Sequence, residues 1–442
     1  MNNFKLGELI EITSSKRIHA EDYVESGIPF YRSKEIIQLS RGENITEILY
    51  ISVEQYSKIK LRFPVPKNGD ILLTSVGTIG IPYYVRDENF YFKDGNLTWF
   101  RNFSEKINSK YLLFWMQSNF FKSQINNNNI GAVQKALTID FLKKFNIQLP
   151  NLKTQSEITY ILTSIVNKIE LNNKINAELE AMAKTLYDYW FVQFDFPDTN
   201  GKPYKSSGGK MVWNAELNRE IPEGWKFVPI DFFANVIDPH PSHRAPKEVE
   251  NGYPFAGIGD IDAEGNIAIS KARVIDEEFV LKQERDYDIT EFSLGYGRVG
   301  TVGKVVKLKK QTFRYALSPT MAVINPKDEK HAGYIYNCIK DPFFYKMVLK
   351  NTAGTTRPAI GIQLLRKIPV LKPSIAHNKM FDSFEVTTKQ FLKKSSLLNQ
   401  ESQNLIQLRD WLLPMLMNGQ VTVGEVEKEL CMVEEESARY GK

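Results

Sequence analysis

The chain repeats itself, and this constrains its fold more than any single motif does. Val76-Gly77-Thr78-Ile79-Gly80 returns as Val299-Gly300-Thr301-Val302-Gly303, a shift of 223 residues. The same shift carries Tyr111 to Tyr334, Phe120-Phe121 to Phe343-Phe344, Gly131 to Gly354, Ala136 to Ala359, Leu142 to Leu365 and Pro150 to Pro373. Upstream the match drifts, and Pro29-Phe30 answers Pro254-Phe255 at 225. So long a period belongs to a duplicated domain rather than to a solenoid. The expected layout is two repeats, each followed by a tail.

Within each repeat, short β-branched runs are punctuated by glycine, as in Asp70-Ile-Leu-Leu-Thr-Ser-Val-Gly-Thr-Ile-Gly80 and Gly303-Lys-Val-Val-Lys-Leu. Such runs predict strands joined by tight turns. One helix is expected in each, near Tyr111–Ile125 and Tyr334–Leu349, and each repeat closes on an apolar run ending in proline. The fold class is α+β.

The tails differ in kind. From Gln155 to Phe191 there is neither Pro nor Gly. Ile158, Ile165, Asn172, Leu179 and Leu186 fall every seventh residue, with Ile161, Lys168, Ile175, Met182 and Tyr189 as a second row. That is the a/d seam of a coiled coil with a polar Asn at one a position. A helix of this extent is about 55 Å long at 1.5 Å per residue. In the second tail Phe384, Phe391, Leu398, Leu405 and Leu412 keep the same spacing, and Pro414 and Gly419 are placed near its end. The economical partner for one seam is the other, packed antiparallel. The expected boundaries are a first domain at 1–150, a helix at 151–194, a linker at 195–221, a second domain at 222–373, a helix at 374–418 and a tail at 419–442.

Composition excludes several classes. At 42% hydrophobic and 25% charged the chain reads as globular, with no apolar run long enough to span a membrane. The opening MNNFKLGELIEI lacks the form of a signal peptide, and Cys338 and Cys431 are the two cysteines. A disulfide framework is thereby excluded and a cytoplasmic location expected. Residues 1–150 carry 19 Lys+Arg against 15 Asp+Glu, and residues 222–373 carry 22 against 18, so each repeat is +4. Any polyanion binding should lie in these repeats.

Catalytic motifs fare poorly. Gly295-x-Gly297-x-x-Gly300 matches a dinucleotide fingerprint in letters, but only its last glycine has a counterpart at 77. Asp341-Pro342-Phe343-Phe344 lacks the second proline of the amino-methyltransferase loop and reads as a turn in a helical region. His240 and His243 have no cluster of carboxylates or thiols at ligand spacing, and read as a solvated loop. The positions shared between repeats are glycines, apolar residues and hydroxyls, whereas a duplicated catalytic domain would duplicate its acids and bases. This points to a chain that binds.

Polar, cationic loops at matched places are the candidates for reading base edges and holding phosphates. In the first repeat they supply Arg32, Ser33, Lys34, Ser75, Thr78, Gln134 and Lys135. In the second they supply Arg298, Thr301, Lys304, Thr355, Thr356 and Arg357.

The layout and its motifs resemble the specificity subunit of Type I restriction–modification enzymes. Ile221-Pro-Glu-Gly-Trp225 is similar to the family's way into its second recognition domain, and Leu149-Pro150-Asn-Leu152-Lys-Thr-Gln155-Ser-Glu-Ile158 to its way out of the first. Leu186-Tyr-Asp-Tyr-Trp-Phe191-Val-Gln-Phe-Asp-Phe-Pro197 resembles the central conserved region. The second exit, Leu371-Lys-Pro373-Ser-Ile-Ala-His377, departs from the pattern by lacking Glu or Gln after the proline. The resemblance implies a non-catalytic subunit that reads a bipartite double-stranded DNA target, one domain per half-site, with the coiled coil setting the spacing. It implies two methyltransferase and two restriction subunits as partners. S-adenosylmethionine, ATP and Mg would then be bound by those partners, and no cofactor by this chain. Tyr189, Trp190, Phe191, Trp411 and Leu412, at the helix ends, are the expected interface anchors. Two other classes stay open: a stand-alone or fused adenine methyltransferase, distinguished by S-adenosylmethionine binding, and a scaffold binding only protein, distinguished by the salt dependence of DNA affinity.

Overall fold

The central strand of the first repeat, Ile71–Thr74, is buried at all of its positions. Its branched side chains suit a pleated surface covered on both faces. It pairs antiparallel with Leu97–Arg101, where Leu72 faces Trp99, and with Pro82–Tyr84 on its other side, and Glu11–Thr13 completes the four-stranded sheet. A second sheet sets Ile28–Tyr31 antiparallel to Leu49–Ile51 and parallel to Tyr91–Phe92. Asn2–Lys5 pairs with Asn146–Leu149, tying the two ends of the repeat together. The computed structural model describes residues 2–43, 45–128, 136–215, 218–242, 246–270, 272–354 and 356–425, with 127 and 128 by backbone alone.

The second repeat builds the same four-stranded sheet from different residues, with a smaller sheet of three strands where the first repeat has four. Its large sheet runs Ala234–Ile237, Met321–Pro326, Leu294–Gly297, Val305–Lys307. Tyr253–Ala256 is again antiparallel to one strand, Arg273–Ile275, and parallel to another, Ala316–Leu317. Lys226–Pro229 pairs with Pro369–Lys372. Matched hydrogen bonds follow the repeat: Leu6 N–H donates to Phe145 O and Ile230 N–H to Ile368 O, both at 2.9 Å.

The single helix expected in each repeat is in fact two. Ser109–Gln117 is followed by Asn119–Asn128, and Ala332–Lys340 by Pro342–Lys350. The break lies where Ser118 and Asp341 take extended backbone angles and cap the second helix. Asp341 Oδ1 accepts from Phe343 N–H at 2.6 Å, and Pro342 takes the first helical position, where a missing N–H costs nothing. Asp341-Pro-Phe-Phe is thus a helix cap with Phe344 buried in the core.

The tails form the helices Leu152–Tyr187 and Asn378–Met417. The first ends in a widened turn over Asp188–Val192, where Gln193 N–H reaches Asp188 O at 2.8 Å. The second includes Pro414 within its last turn instead of stopping before it. Burial follows the heptad rows only in part, with Lys168 of the second row exposed, and then drifts. Ile158, Ile161, Ile165 and Asn172 are buried, but Met182 is 53% exposed and Tyr189 37%, while Ala183 and Tyr187 are buried in their stead. A straight helix of 3.6 residues per turn slips about 20° per heptad against a 3.5 repeat, which accounts for the exchange.

Packing divides the chain into two compact units, Met1–Leu171 with Glu401–Lys442, and Asn172–Gln400. In the first, the core joins Leu6, Phe100 and Trp115 to Ile158, Leu162, Leu412 and Leu416. Lys168 pairs there with Glu401 at 3.4 Å. In the second, Trp225, Tyr334 and Phe344 join Tyr187, Phe191, Phe381 and Phe384. Asn176 Nδ2 donates to Asn399 Oδ1 at 2.6 Å, and the ring of Trp190 lies 5.7 Å from that of Phe384.

The stretch expected to be a linker is built. Phe196 stacks between Tyr204 at 4.7 Å and Trp225 at 5.1 Å, and Met211–Asn214 forms a hairpin with Arg219–Pro222. Among the described residues no helix is long and apolar enough to cross a membrane.

Candidate functional site

In each repeat the central strand leaves the sheet through a glycine turn. Gly80 N–H donates to Thr74 O at 2.8 Å in the first, and Gly303 N–H to Gly297 O at 3.0 Å in the second. Gly303 has φ of +91°, and a Cβ there would lie 2.3 Å from Tyr345 Cε2. Tyr345 is exposed enough for its ring to swing aside. The left-handed backbone therefore dominates the cost of a side chain, about 1–2 kcal/mol. Gly303→Ala should lower the thermal midpoint of the chain by roughly 2–6 °C. An unchanged midpoint would mean that the turn does not need this conformation.

The turn is braced against the polar loop that precedes the short helix closing the repeat. Leu137 N–H donates to Ser75 O, and Ile360 N–H to Arg298 O, each at 2.9 Å. Val76 bridges Ala136 as Val299 bridges Ala359. Gly300 N–H also donates to Pro358 O at 2.9 Å. In the second repeat two of the candidate segments are thereby held side by side, and in the first the turn is held against Ala136 and Leu137.

In the first repeat a third segment joins them through Asn96. Its carbonyl accepts from Ser75 N–H at 2.9 Å and from Ser33 Oγ at 3.3 Å. Arg32 precedes the helix Ser33–Ser40 and is gripped by Glu35, with Nη2 to Oε1 at 2.6 Å and Nε to Oε2 at 3.1 Å. The Glu35 carboxylate holds the guanidinium above its ordinary pKa. Burial alone would push the Glu35 carboxyl up, but the hydrogen bonds from Arg32 outweigh it and hold the group below its usual range. Lys34 is exposed, 3.5 Å from Glu47. Thr78 is exposed at the tip of the turn, whereas Ser75 is buried, its hydroxyl 2.6 Å from Thr98 Oγ1. Gln134 and Lys135 lie outside the described residues.

The second repeat separates its candidates in the same way. Thr301, Thr356 and Arg357 are exposed, and a Cβ built on Gly300 would lie 3.9 Å from Arg357 Nε. Thr355 lies outside the described residues. Arg298 is only 5% exposed, and its Nη2 pairs with Asp238 Oδ2 at 2.9 Å. It is built into the base of the turn instead of being presented to a ligand, as the sequence had suggested. Lys304 likewise turns inward, donating to the carbonyls of Ile258 at 2.8 Å and Ile261 at 3.1 Å. Asn96, Asp238 and Thr320, whose carbonyl accepts from Arg298 N–H at 2.9 Å, were not singled out from sequence. Nothing in their spacing marks them, because each acts across the fold.

Other expectations change. His240 is buried, not solvated, with Ser242 Oγ 2.9 Å from Nε2 and the ring against Phe255. His243 lies outside the described residues. Gly295 and Gly297 belong to a strand that leads into a turn and another strand, not into a helix. Of the helix-end anchors, Phe191 and Leu412 are each 1% exposed and belong to the cores of their own units. Tyr189 and Trp411 are exposed and Trp190 is half-buried.

Comparison with known proteins fits this geometry. Residues 1–181 match the model of the Type I restriction modification DNA specificity domain. The chain is 26% identical over 423 residues to the Type I restriction enzyme MjaIX specificity subunit of Methanocaldococcus jannaschii, covering 92% of this chain and 89% of that one. It is 24% identical over 343 residues to the Type I restriction enzyme HindI specificity subunit of Haemophilus influenzae, covering 64% and 71%. Among solved structures, the S subunit of a Type I restriction–modification system from M. genitalium has the same fold, with a TM-score of 0.51 at 13% identity over 94% of this chain and 95% of that one.

Proposed function

We propose that the chain is a specificity subunit of the Type I restriction–modification family, that it reads a two-part DNA target, one part with each repeat, and that it catalyses nothing itself. The observation that carries this is the recurrence of one constellation. A glycine turn braced against the segment that enters the closing short helix occurs twice at matched positions, each time in a repeat of net charge +4. Thr78 and Lys34 are the direct contacts of the first repeat among the described residues, and Gln134 and Lys135 are added to them from the sequence. Thr301, Thr356 and Arg357 are those of the second, and Thr355 is added to them from the sequence. Ser75, Arg298 and Lys304 hold the turns in place, and Arg32 holds the start of its helix.

The two long helices pair as an antiparallel coiled coil in this reading. Lys168 with Glu401 supports it in one unit, and Asn176 with Asn399 and Trp190 with Phe384 support it in the other. Trp411, Tyr189 and Trp190 dock two methyltransferase subunits, and two restriction subunits join the assembly. S-adenosylmethionine, ATP and Mg belong to those partners, and the complex acts on cytoplasmic DNA.

Arg357 gives the cleanest test, since it is exposed and among the described residues pairs with no carboxylate. An Arg that forks onto guanine contributes about 1–3 kcal/mol of discrimination, roughly five- to hundredfold. Arg357→Ala, expressed with its methyltransferase, should relax the base preference in one half of the methylated sequence and leave the other half intact. Methylation mapping reads this directly. Equal change in both halves, or none, would refute the assignment. Arg298→Ala is a poor substitute, because breaking its buried ion pair with Asp238 costs about 3–5 kcal/mol.

A further inference from the structure

The strand that leaves the second glycine turn, Val305–Lys307, runs into a polar network on the long helices. Lys307 Nζ donates at 3.2 Å to Ser395 Oγ on the second helix, and Ser395 is buried. The same ammonium lies over the ring of Tyr336, 5.7 Å from its centroid. Tyr336 Oη donates to Glu180 Oε1 on the first helix at 2.6 Å, and Lys340 pairs with that oxygen as well. The helix carrying Tyr336 and Lys340 also lies tight against the second long helix. A Cβ on Gly333 would fall 1.9 Å from Thr388 Oγ1 and 3.1 Å from the Thr388 backbone carbon.

Among the described residues the first repeat shows no such arrangement. At the constant shift of 223, Lys307, Tyr336 and Lys340 are answered by Tyr84, Leu113 and Gln117. Its strand region meets the first long helix instead through an exposed pair, Arg86 with Glu170 at 2.7 Å. The Glu180 side chain is half exposed, so its pair with Lys340 adds little to stability. What a charged, directional contact to each of two helices does supply is a fixed angle.

We propose that Glu180 and Ser395 are positioning residues: they set the orientation of the second repeat on the two long helices, and with it the spacer across which the second half-site is read. The proposal rests on the two-part reading above. Losing both contacts leaves the repeat seated by its aromatic core but with a less sharply fixed angle, while the glycine turn stays assembled, so the half-site sequence is kept and the spacer tolerance widens.

The test uses the full chain co-expressed with its methyltransferase and a plasmid library holding both half-sites at graded spacers. The wild-type complex should methylate one spacer strongly. The double variant Glu180→Ala/Ser395→Ala should narrow the preference over spacers one base pair longer or shorter by roughly five- to tenfold, with the half-sites unchanged. Glu180→Gln, which keeps an acceptor for Tyr336 but not the charge facing Lys340, should fall between. Lys184→Ala, which removes an exposed pair with Asp188 on the same helix, should behave as wild type. A proportional loss at all spacers, as a merely weakened fold would give, overturns the proposal, as does an unchanged spacer preference. If the double variant fails to assemble, Glu180→Gln decides alone. A wild-type complex that methylates no two-part site would instead defeat the functional reading on which the proposal stands.

Discussion

Inserting four residues after Glu170 is expected to lengthen the spacer of the recognised DNA by one or two base pairs, with both half-sites unchanged. The helix Leu152–Tyr187 is 36 residues long and continuous through this point. Four residues add about 6 Å of rise and about 400° of rotation, a full turn and some 40°. A base pair occupies about 3.4 Å of duplex, which sets the expected change. The residual rotation is of the size that coiled coils absorb as a stutter. Insertion of two residues is the control, because it turns everything beyond it by about 200°. Ile158, Ile161 and Ile165 before the insertion and Tyr187 and Phe191 after it are buried in different cores. They cannot both keep their places after half a turn. Each large apolar side chain withdrawn costs about 2–5 kcal/mol, so assembly and methylation should be lost. Mapping methylated sites from the four-residue variant decides the matter: an assembled, active complex with the wild-type spacer would show that the helix does not set the distance.

The duplication was legible because it is written in residues whose backbone or packing leaves little choice. Gly80 and Gly303 both stand at left-handed positions, and Tyr111 and Tyr334 are both fully buried. The long helices were legible from periodicity alone. What escaped was set by partners distant in sequence. Ser118 and Asp341 interrupt a helical pattern that no apolar spacing interrupts, and only the cap and Pro342 announce it. The drift of the seam from Met182 to Ala183 depends on helical pitch, which a strict count of sevens does not contain.

The candidate site was half legible. The glycine turns are written in the sequence, and in the second repeat the structure sets the turn beside the loop that carries Arg357, but the sequence could not tell an exposed cation from a buried one. Arg298 and Arg357 look alike as letters, and Asp238 decides between them from 60 residues away. The departure at the second exit has a structural reading of the same kind. In the first repeat Gln155 is buried and joins Asn108 N–H to the carbonyls of Lys106 and Pro150, each at 2.9 Å. The second exit places His377 nearby in sequence instead, where Nδ1 accepts from Trp225 Nε1 at 3.0 Å.

Phe191→Ala and Trp411→Ala should separate folding from docking, although both residues stand near the ends of the long helices. Phe191 is enclosed, its ring 4.9 Å from that of Phe384, 5.1 Å from Tyr334, 5.2 Å from Tyr187 and 5.7 Å from Trp225. Truncating so enclosed a phenylalanine costs about 3–5 kcal/mol, transfer and cavity together. For a unit of this size that lowers the thermal midpoint by roughly 8–15 °C. Trp411 is 48% exposed, so its loss should leave the midpoint within a few degrees. As a large exposed aromatic it has the character of an interface anchor, worth about 2 kcal/mol or more, and capture of the methyltransferase should fall at least tenfold. Thermal unfolding of the purified chain reads the first effect, and co-purification at fixed partner concentration reads the second. If Trp411→Ala retains its partner fully while remaining folded, the docking surface lies elsewhere. If Phe191→Ala melts like wild type, the aromatic cluster is not the keystone of its unit, and the sequence-based placement of Phe191 at an interface regains its standing.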